Sequence, residues 1–226
     1  MIYKILLTLI ISCNLIAAEF SDYEAKYLFK SDEINIKGIR KFKRTGDDID
    51  IDFKARNWLA SINISSKFKY KNGNIISEQY NAKVKPEFVN RSQNIKFDYE
   101  NQRIIGKGRF SWDVPLDKSI PTTDPLNAQL QIRLNLMKGL DEFSIKLIEI
   151  KTGGIKDNIY KVVDKQNCVL KDKSYECILL QRYRESDKRE TTYYIIPELE
   201  YMFYKIIDKR PDKLETLEMI ELLSFG

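Results

Sequence analysis

Histidine is missing altogether from the 226 residues. That gap excludes Ser-His-Asp and Cys-His nucleophile systems, His-ligated zinc or haem, and a histidine pH switch. Cysteine is nearly as scarce, with Cys13, Cys168 and Cys177 as the only thiols. Their spacing is not Cys-x-x-Cys, so a dithiol redox centre has no motif. A strong charge of one sign is lacking too: 38 Lys and Arg against 33 Asp and Glu leave +5, with a pI of about 8.9. The near balance argues against nucleic acid as a partner. With 43% hydrophobic residues and a mean hydropathy of −0.42, the chain is neither a disordered polymer nor a multi-span membrane protein. No linker-like, low-complexity or repeated segment divides it, so one domain is expected.

One apolar run stands at the start. Lys4 precedes a nearly unbroken apolar stretch from Ile5 to Ile16, then Ala17-Ala18 gives way to polar Glu19-Phe20-Ser21-Asp22. A charged end, a short apolar core and a small residue at the cut describe a secretory signal peptide over residues 1–18, cleaved between Ala18 and Glu19. The run is shorter than the ~20 residues a membrane-spanning helix needs, so no integral span is expected. A second reading takes Ile10-Ile11-Ser12-Cys13 as a lipoprotein box with lipid on Cys13. It is the weaker one, because the sequence after Cys13 stays apolar. Export to the periplasm is the expectation, with residues 19–226 forming the mature domain.

Export places Cys168 and Cys177 where disulfides persist. The polar run Lys171 to Ser174 lies between two strand-like stretches and reads as a tight turn. With Asp172-Lys173 as a two-residue loop, Cys168 faces Cys177 at a non-hydrogen-bonded pair, where Cα atoms are about 4.5 Å apart. A cross-strand disulfide is expected.

Most of the remaining chain has period two. Tyr23, Ala25, Tyr27 and Phe29 alternate with polar neighbours, as do Ile34-Asn35-Ile36-Lys37, Ile49 to Ala55 and Ile95 to Tyr99. Turn signals at Thr45-Gly46-Asp47-Asp48 and Asn72-Gly73 separate them. The pattern predicts a mainly β protein: one large antiparallel sheet, strongly curved, a half-barrel or open barrel. One segment breaks it. Asp124-Pro125 opens and Gly139 closes a helix over about 124–138, whose Leu126, Leu130, Leu134 and Met137 share a face, with Ala128, Ile132 and Leu136 nearby. It is suited to lie across the sheet. Lys213 to Ser224 fits strand and helix equally.

The order of features resembles the exported bacterial proteins grouped as domain of unknown function 3108 (DUF3108). The resemblance is carried by FSDYEAKYLF, SIPTTDPLNAQLQIRLNLMKG, YKVVDKQNCVLKDKSYECILLQRYRE and TTYYIIPELEYMFYKI, in that order along the mature chain. It departs where the family has glycine near Lys173 or Ser174 and proline near Met202 or Phe203. The resemblance implies a curved antiparallel sheet in a Gram-negative envelope and supplies no catalytic residues, cofactor or metal.

Other clusters have plain structural readings. Asp47, Asp48, Asp50 and Asp52 lack the glycine and distal glutamate of a calcium loop and read as a solvated strand face. Lys41-Phe42-Lys43-Arg44 and Lys67-Phe68-Lys69-Tyr70-Lys71 interleave cations with aromatics and read as half-buried strands, with a weak affinity for anionic lipid head groups as the lesser alternative. Gly106-x-Gly108 and Gly153-Gly154 read as a strand kink and a turn. Tyr23, Tyr27, Phe29, Phe53, Phe97 and Phe110 are assigned to an aromatic inner face. Three functions follow. A non-enzymatic carrier of an apolar or lipid-like envelope component, with an apolar cavity, leads. A scaffold that binds an envelope protein through its surface, with a filled core, is second. A hydrolase with two facing carboxylates is third.

Overall fold

The computed structural model describes residues 20–32, 34–58, 60–85, 92–183 and 189–226. The expected signal segment, its Ala18–Glu19 junction and Cys13 lie outside them. The first half of the chain forms β1 (Tyr23–Lys30), β2 (Asn35–Thr45), β3 (Asp48–Arg56), β4 (Ser61–Lys71), β5 (Asn74–Lys85), β6 (Gln93–Asp98), β7 (Arg103–Gly108) and β8 (Trp112–Pro115). Helix α1 (Ala128–Met137) follows, then β9 (Glu142–Ile148), β10 (Ile155–Leu170), β11 (Lys173–Tyr183), β12 (Glu190–Ile196), β13 (Met202–Arg210) and β14 (Lys213–Phe225).

All fourteen strands join one sheet in the order β8-β7-β6-β5-β4-β3-β2-β1-β14-β13-β12-β11-β10-β9. Each neighbouring pair is antiparallel. The two ends of the chain meet in the middle, where β1 pairs with β14, and the sheet's two edges are β8 and β9, neighbours in sequence. Lys213–Phe225 is therefore a strand. Its ambiguity arises because, although hydrogen-bonded on both sides, it buries only Met219 fully, so its alternation is faint.

The sheet curls without closing. Across the gap, the Trp112 indole N–H donates to the Ile150 carbonyl at 2.9 Å. The ring lies against Gly106 and Gly153, where any Cβ would overlap it. Further along, Thr123 N–H donates to Lys146 O and Ile148 N–H donates to Thr123 O, both at 2.9 Å, so the connecting segment covers part of the free edge of β9.

Helix α1 begins and ends as its sequence suggests. The Asp124 carboxylate accepts the N–H groups of Leu126 and Asn127, capping a first turn ahead of the regular helix. Gly139, at φ 74°, closes it with N–H donated to Leu136 O while Leu140 N–H reaches Asn135 O, a Schellman arrangement. The helix does not simply lie across the sheet; it is enclosed by it. Leu126, Leu130 and Leu134 join one core cluster with β1 to β7, and Ala128, Ile132 and Leu136 join another with β9 to β13. Met137, expected in the stripe, is 38% exposed.

The Cys168–Cys177 disulfide is present, with Cα atoms 5.8 Å apart. Its register differs from expectation. Leu170 faces Lys173, so the loop is Lys171-Asp172, Cys168 faces Tyr175 and Cys177 faces Gln166. Lys171 takes the left-handed conformation that favours this placement of the two-residue loop, at φ 53°. The cysteines share a face as diagonal neighbours, and strand twist brings that diagonal close enough to bridge.

Trp112→Ala is expected to lower stability by about 3 kcal/mol and to speed amide exchange in β8 and β9 more than in β1. Trp112→Phe, which keeps a ring but loses the hydrogen bond, is expected to cost about 1 kcal/mol. Urea titration with hydrogen exchange reads both; unchanged protection at the two edges would show that Trp112 does not hold the gap.

Candidate binding groove

The concave interior, the obvious place for an apolar ligand, is filled. Beyond the leucines, α1 brings two polar side chains inward. Gln129 Oε1 accepts from buried Arg40 at 2.6 Å. One turn later Arg133 donates to Glu200 O at 2.8 Å and lies over the rings of Phe20, Phe42 and Tyr23. Burial lowers the Arg133 guanidinium to about 10, against the raising effect of Tyr23 and Glu200. Tyr27, whose hydroxyl donates to Phe203 O at 2.7 Å, is likewise pushed up by burial. Tyr23, Tyr27, Phe53 and Phe97 occupy the inner face as expected, and Phe29 packs partly buried on it. Phe110 does not: it sits in the β7–β8 turn, bonded through its backbone to the Gln93 side chain.

At one end of the sheet a groove of about 1060 Å³ opens beside the start of α1. Pro125, Leu147, Ile148, Ile150 and Ile159 form apolar parts of its lining, with Lys151, Lys156, Asn158, Arg182 and Arg189 supplying polar groups. Strand register explains the arrangement. Lys156 faces Leu147, Asn158 faces Ile145, and Tyr160 faces Arg182, so these side chains share the inner face of β9 to β11. Arg182 in turn faces Thr191, which faces Asp208.

The charges in the groove are unequal. Arg189 is held by both Asp208 oxygens, Lys156 lies 2.8 Å from Glu149, and Asp157 is 3.0 Å from Lys146. The hydrogen bond from Lys146 and a second from Ser144 draw Asp157 below its ordinary range. Arg182 donates to Thr191 Oγ1 at 2.9 Å, yet its buried Nε has no hydrogen-bond partner among the described residues. A buried donor in this condition is costly, and an anionic or carbonyl oxygen would satisfy it.

A second polar cluster lies behind Pro125. Fully buried Asp124 accepts from Ser66 Oγ at 2.6 Å, and Asn127 Nδ2 donates to Ser77 Oγ at 2.9 Å. Ser77 Oγ donates on to Thr122 O. Burial pushes the Asp124 carboxyl up to about 6, against the hydrogen bonds from Ser66, Asn127 and Leu126. The capping role was readable in the sequence; the burial was not, since Ser66 and Ser77 lie about fifty residues away.

The remaining sequence candidates fall where strand geometry puts them. Asp48, Asp50 and Asp52 face Lys69, Lys67 and Ser65 on β4 and Thr45, Lys43 and Lys41 on β2, with ion pairs Asp50–Lys67 at 3.5 Å and Asp48–Lys69 at 3.7 Å. The same pairs occupy Lys67 and Lys69 of the Lys67 to Lys71 run. Lys41 pairs with Glu24 at 2.7 Å. Among the described residues no three His, Cys, Asp or Glu side chains gather as a metal site, and no helix is long and apolar enough to cross a membrane.

No protein-family model matches the chain, and no curated protein does. A fold neighbour exists. The crystal structure of a β-barrel-like protein of domain of unknown function DUF1849 from Brucella abortus superposes with a TM-score of 0.56. The match covers 93% of this chain and 100% of that one at 8% identity, so it concerns the fold alone. The likeness supports a β-barrel-like architecture and does not single out the DUF3108 group.

Asp124 gives a pH prediction. Its folded-state pKa lies above the ordinary 3.8, so the folded protein keeps this proton longer than the unfolded chain. Its stabilising share is full below pH 4 and is lost as pH rises through about 6, a change of roughly 3 kcal/mol. Asp124→Asn removes that slope. The stability difference between variant and wild type, from urea midpoints at pH 4 and pH 7, is expected to shift by this amount in the variant's favour; equal slopes would contradict it.

Proposed function

We propose that the protein is exported to the periplasm as a non-enzymatic binding or carrier protein for an apolar or lipid-like envelope component, held in the groove at the sheet's end and not inside the curve. The observation that carries this reading is the groove itself: its size suits a small amphiphile, its lining is partly apolar, and Arg182 offers a buried donor that no described residue satisfies. An amphiphile with an anionic or carbonyl head fits that pairing. The disulfide agrees with an oxidising compartment, and the order of sequence features supports kinship with DUF3108. The non-enzymatic part rests on the groove's acids, since Glu149 and Asp157 are each engaged by a lysine and neither is left as a proton donor.

A second reading, a scaffold for an envelope protein, is favoured by the filled interior.

Native mass spectrometry on protein purified gently from its own envelope fraction separates them. The carrier reading expects a stoichiometric apolar adduct that is lost in Leu147→Arg and weakened severalfold in Arg182→Ala. The denatured mass is expected to correspond to 208 residues, from 226 less the first 18, less two hydrogens for the disulfide. A clean ligand-free mass would overturn the carrier reading in favour of the scaffold.

A further inference from the structure

The strand registers place the turns around residues 31–34, 57–60, 149–154 and 211–212 at the same end of the curled sheet, the end where the groove lies. The β3–β4 turn carries Trp58, which is 89% exposed. The described contacts of the turn do not involve that side chain. Asn57 N–H donates to Ala60 O at 2.9 Å, and Asn57 Oδ1 accepts the Ala60 N–H at 2.8 Å, so Asn57 and Ala60 close the loop by themselves. A large amphipathic ring is thus held in water on a pinned turn, against the general tendency of tryptophan to bury.

The surroundings of Trp58 are cationic. Arg56 faces Ser61, which faces Lys85; Lys54 faces Asn63, which faces Lys83. Cross-strand partners share a face, so these four cations stand in two adjacent rows on the outer surface, with exposed Lys37 on the neighbouring strand. Lys37, Arg56 and Lys83 make no ion pair among the described residues; Lys54 lies 3.4 Å from Asp52. Among the described residues, Asp32 in the β1–β2 turn and Asp212 in the β13–β14 turn are exposed acids at this end of the sheet. The contrast with the opposite half of the same strands is direct, since Lys67 and Lys69 there face aspartates.

We propose that the rim around Trp58, Arg56, Lys54 and Lys83 is a docking surface for an anionic lipid membrane. Tryptophan settles at the head-group level, where its ring is apolar and its N–H stays wet, and a cluster of basic side chains beside it is drawn to negative surface charge. The proposal goes beyond the carrier reading and stands without it, because docking needs no ligand in the groove. Where both hold, the groove lies at the membrane-facing end.

The test uses the full mature chain with vesicles of pure phosphatidylglycerol or pure phosphatidylcholine. The wild type is expected to co-sediment with the anionic vesicles, to show blue-shifted tryptophan emission on them, and to lose binding as salt is raised. Trp58→Ala is expected to bind roughly tenfold more weakly, and its remaining Trp112 emission is expected not to shift. The double change Arg56→Glu with Lys83→Glu is expected to abolish the preference for anionic vesicles. All these positions are exposed, and unchanged urea midpoints verify that the variants fold. Trp58→Ala is expected to keep the groove adduct in native mass spectra, so failure of the carrier reading and failure of docking are distinguishable. Absence of wild-type binding, or undiminished binding by Trp58→Ala, overturns the proposal and leaves a protein partner as the occupant of this rim.

Discussion

A single curved sheet of fourteen strands has one face toward solvent and one that must be covered, and the described residues form no second sheet to cover it. The ten residues of α1 do so. Because the sheet bends around the helix, both sides of α1 are used: Leu126, Leu130 and Leu134 join the larger core cluster, which includes β1 to β7, while Ala128, Ile132 and Leu136 join the cluster of β9 to β13. The enclosure also explains polar residues at inward positions. Gln129 and Arg133 meet Arg40, Glu200 and a set of aromatic rings, satisfying much of what burial would otherwise leave unpaired.

This arrangement moves the question of function outward. A half-barrel with an empty interior would store a ligand there, but here that volume is core. What remains is the end of the sheet beside Asp124-Pro125, where β9 and β10 are held against the start of the helix and a groove is left between apolar wall and cationic side chains. The gap between β8 and β9 is held by one indole and one short bridge, so the groove's wall belongs to the part of the sheet with the fewest strand partners.

Period-two alternation made the sheet readable because most strands bury one face only, as in β3, where Ile49, Ile51, Phe53 and Ala55 go in and the aspartates stay out. The helix was readable from Asp124, Pro125 and Gly139. Four things were not. The cysteine pairing was missed by two residues, from a loop displaced by one, because the choice between Lys171-Asp172 and Asp172-Lys173 as the loop depends on a left-handed lysine that no side-chain pattern announces. The last strand was ambiguous because little of it is fully buried. The groove was invisible because it gathers Pro125, Leu147, Asn158 and Arg182, which only the sheet's order brings together. Trp58 carried no periodic signal, and its meaning depends on the rows of cations that register places around it.

The central claim is that α1 is a permanent part of the core and not a plug that leaves a cavity when it moves. Native-state hydrogen exchange of the α1 amides tests it most directly, with β1 as the internal reference. The account predicts that Leu130 to Leu136 exchange only through global unfolding, with the same protection as Ala25 and Tyr27. Exchange in α1 faster by orders of magnitude than in β1 would contradict it, because the helix would then open on its own and expose the interior to a ligand.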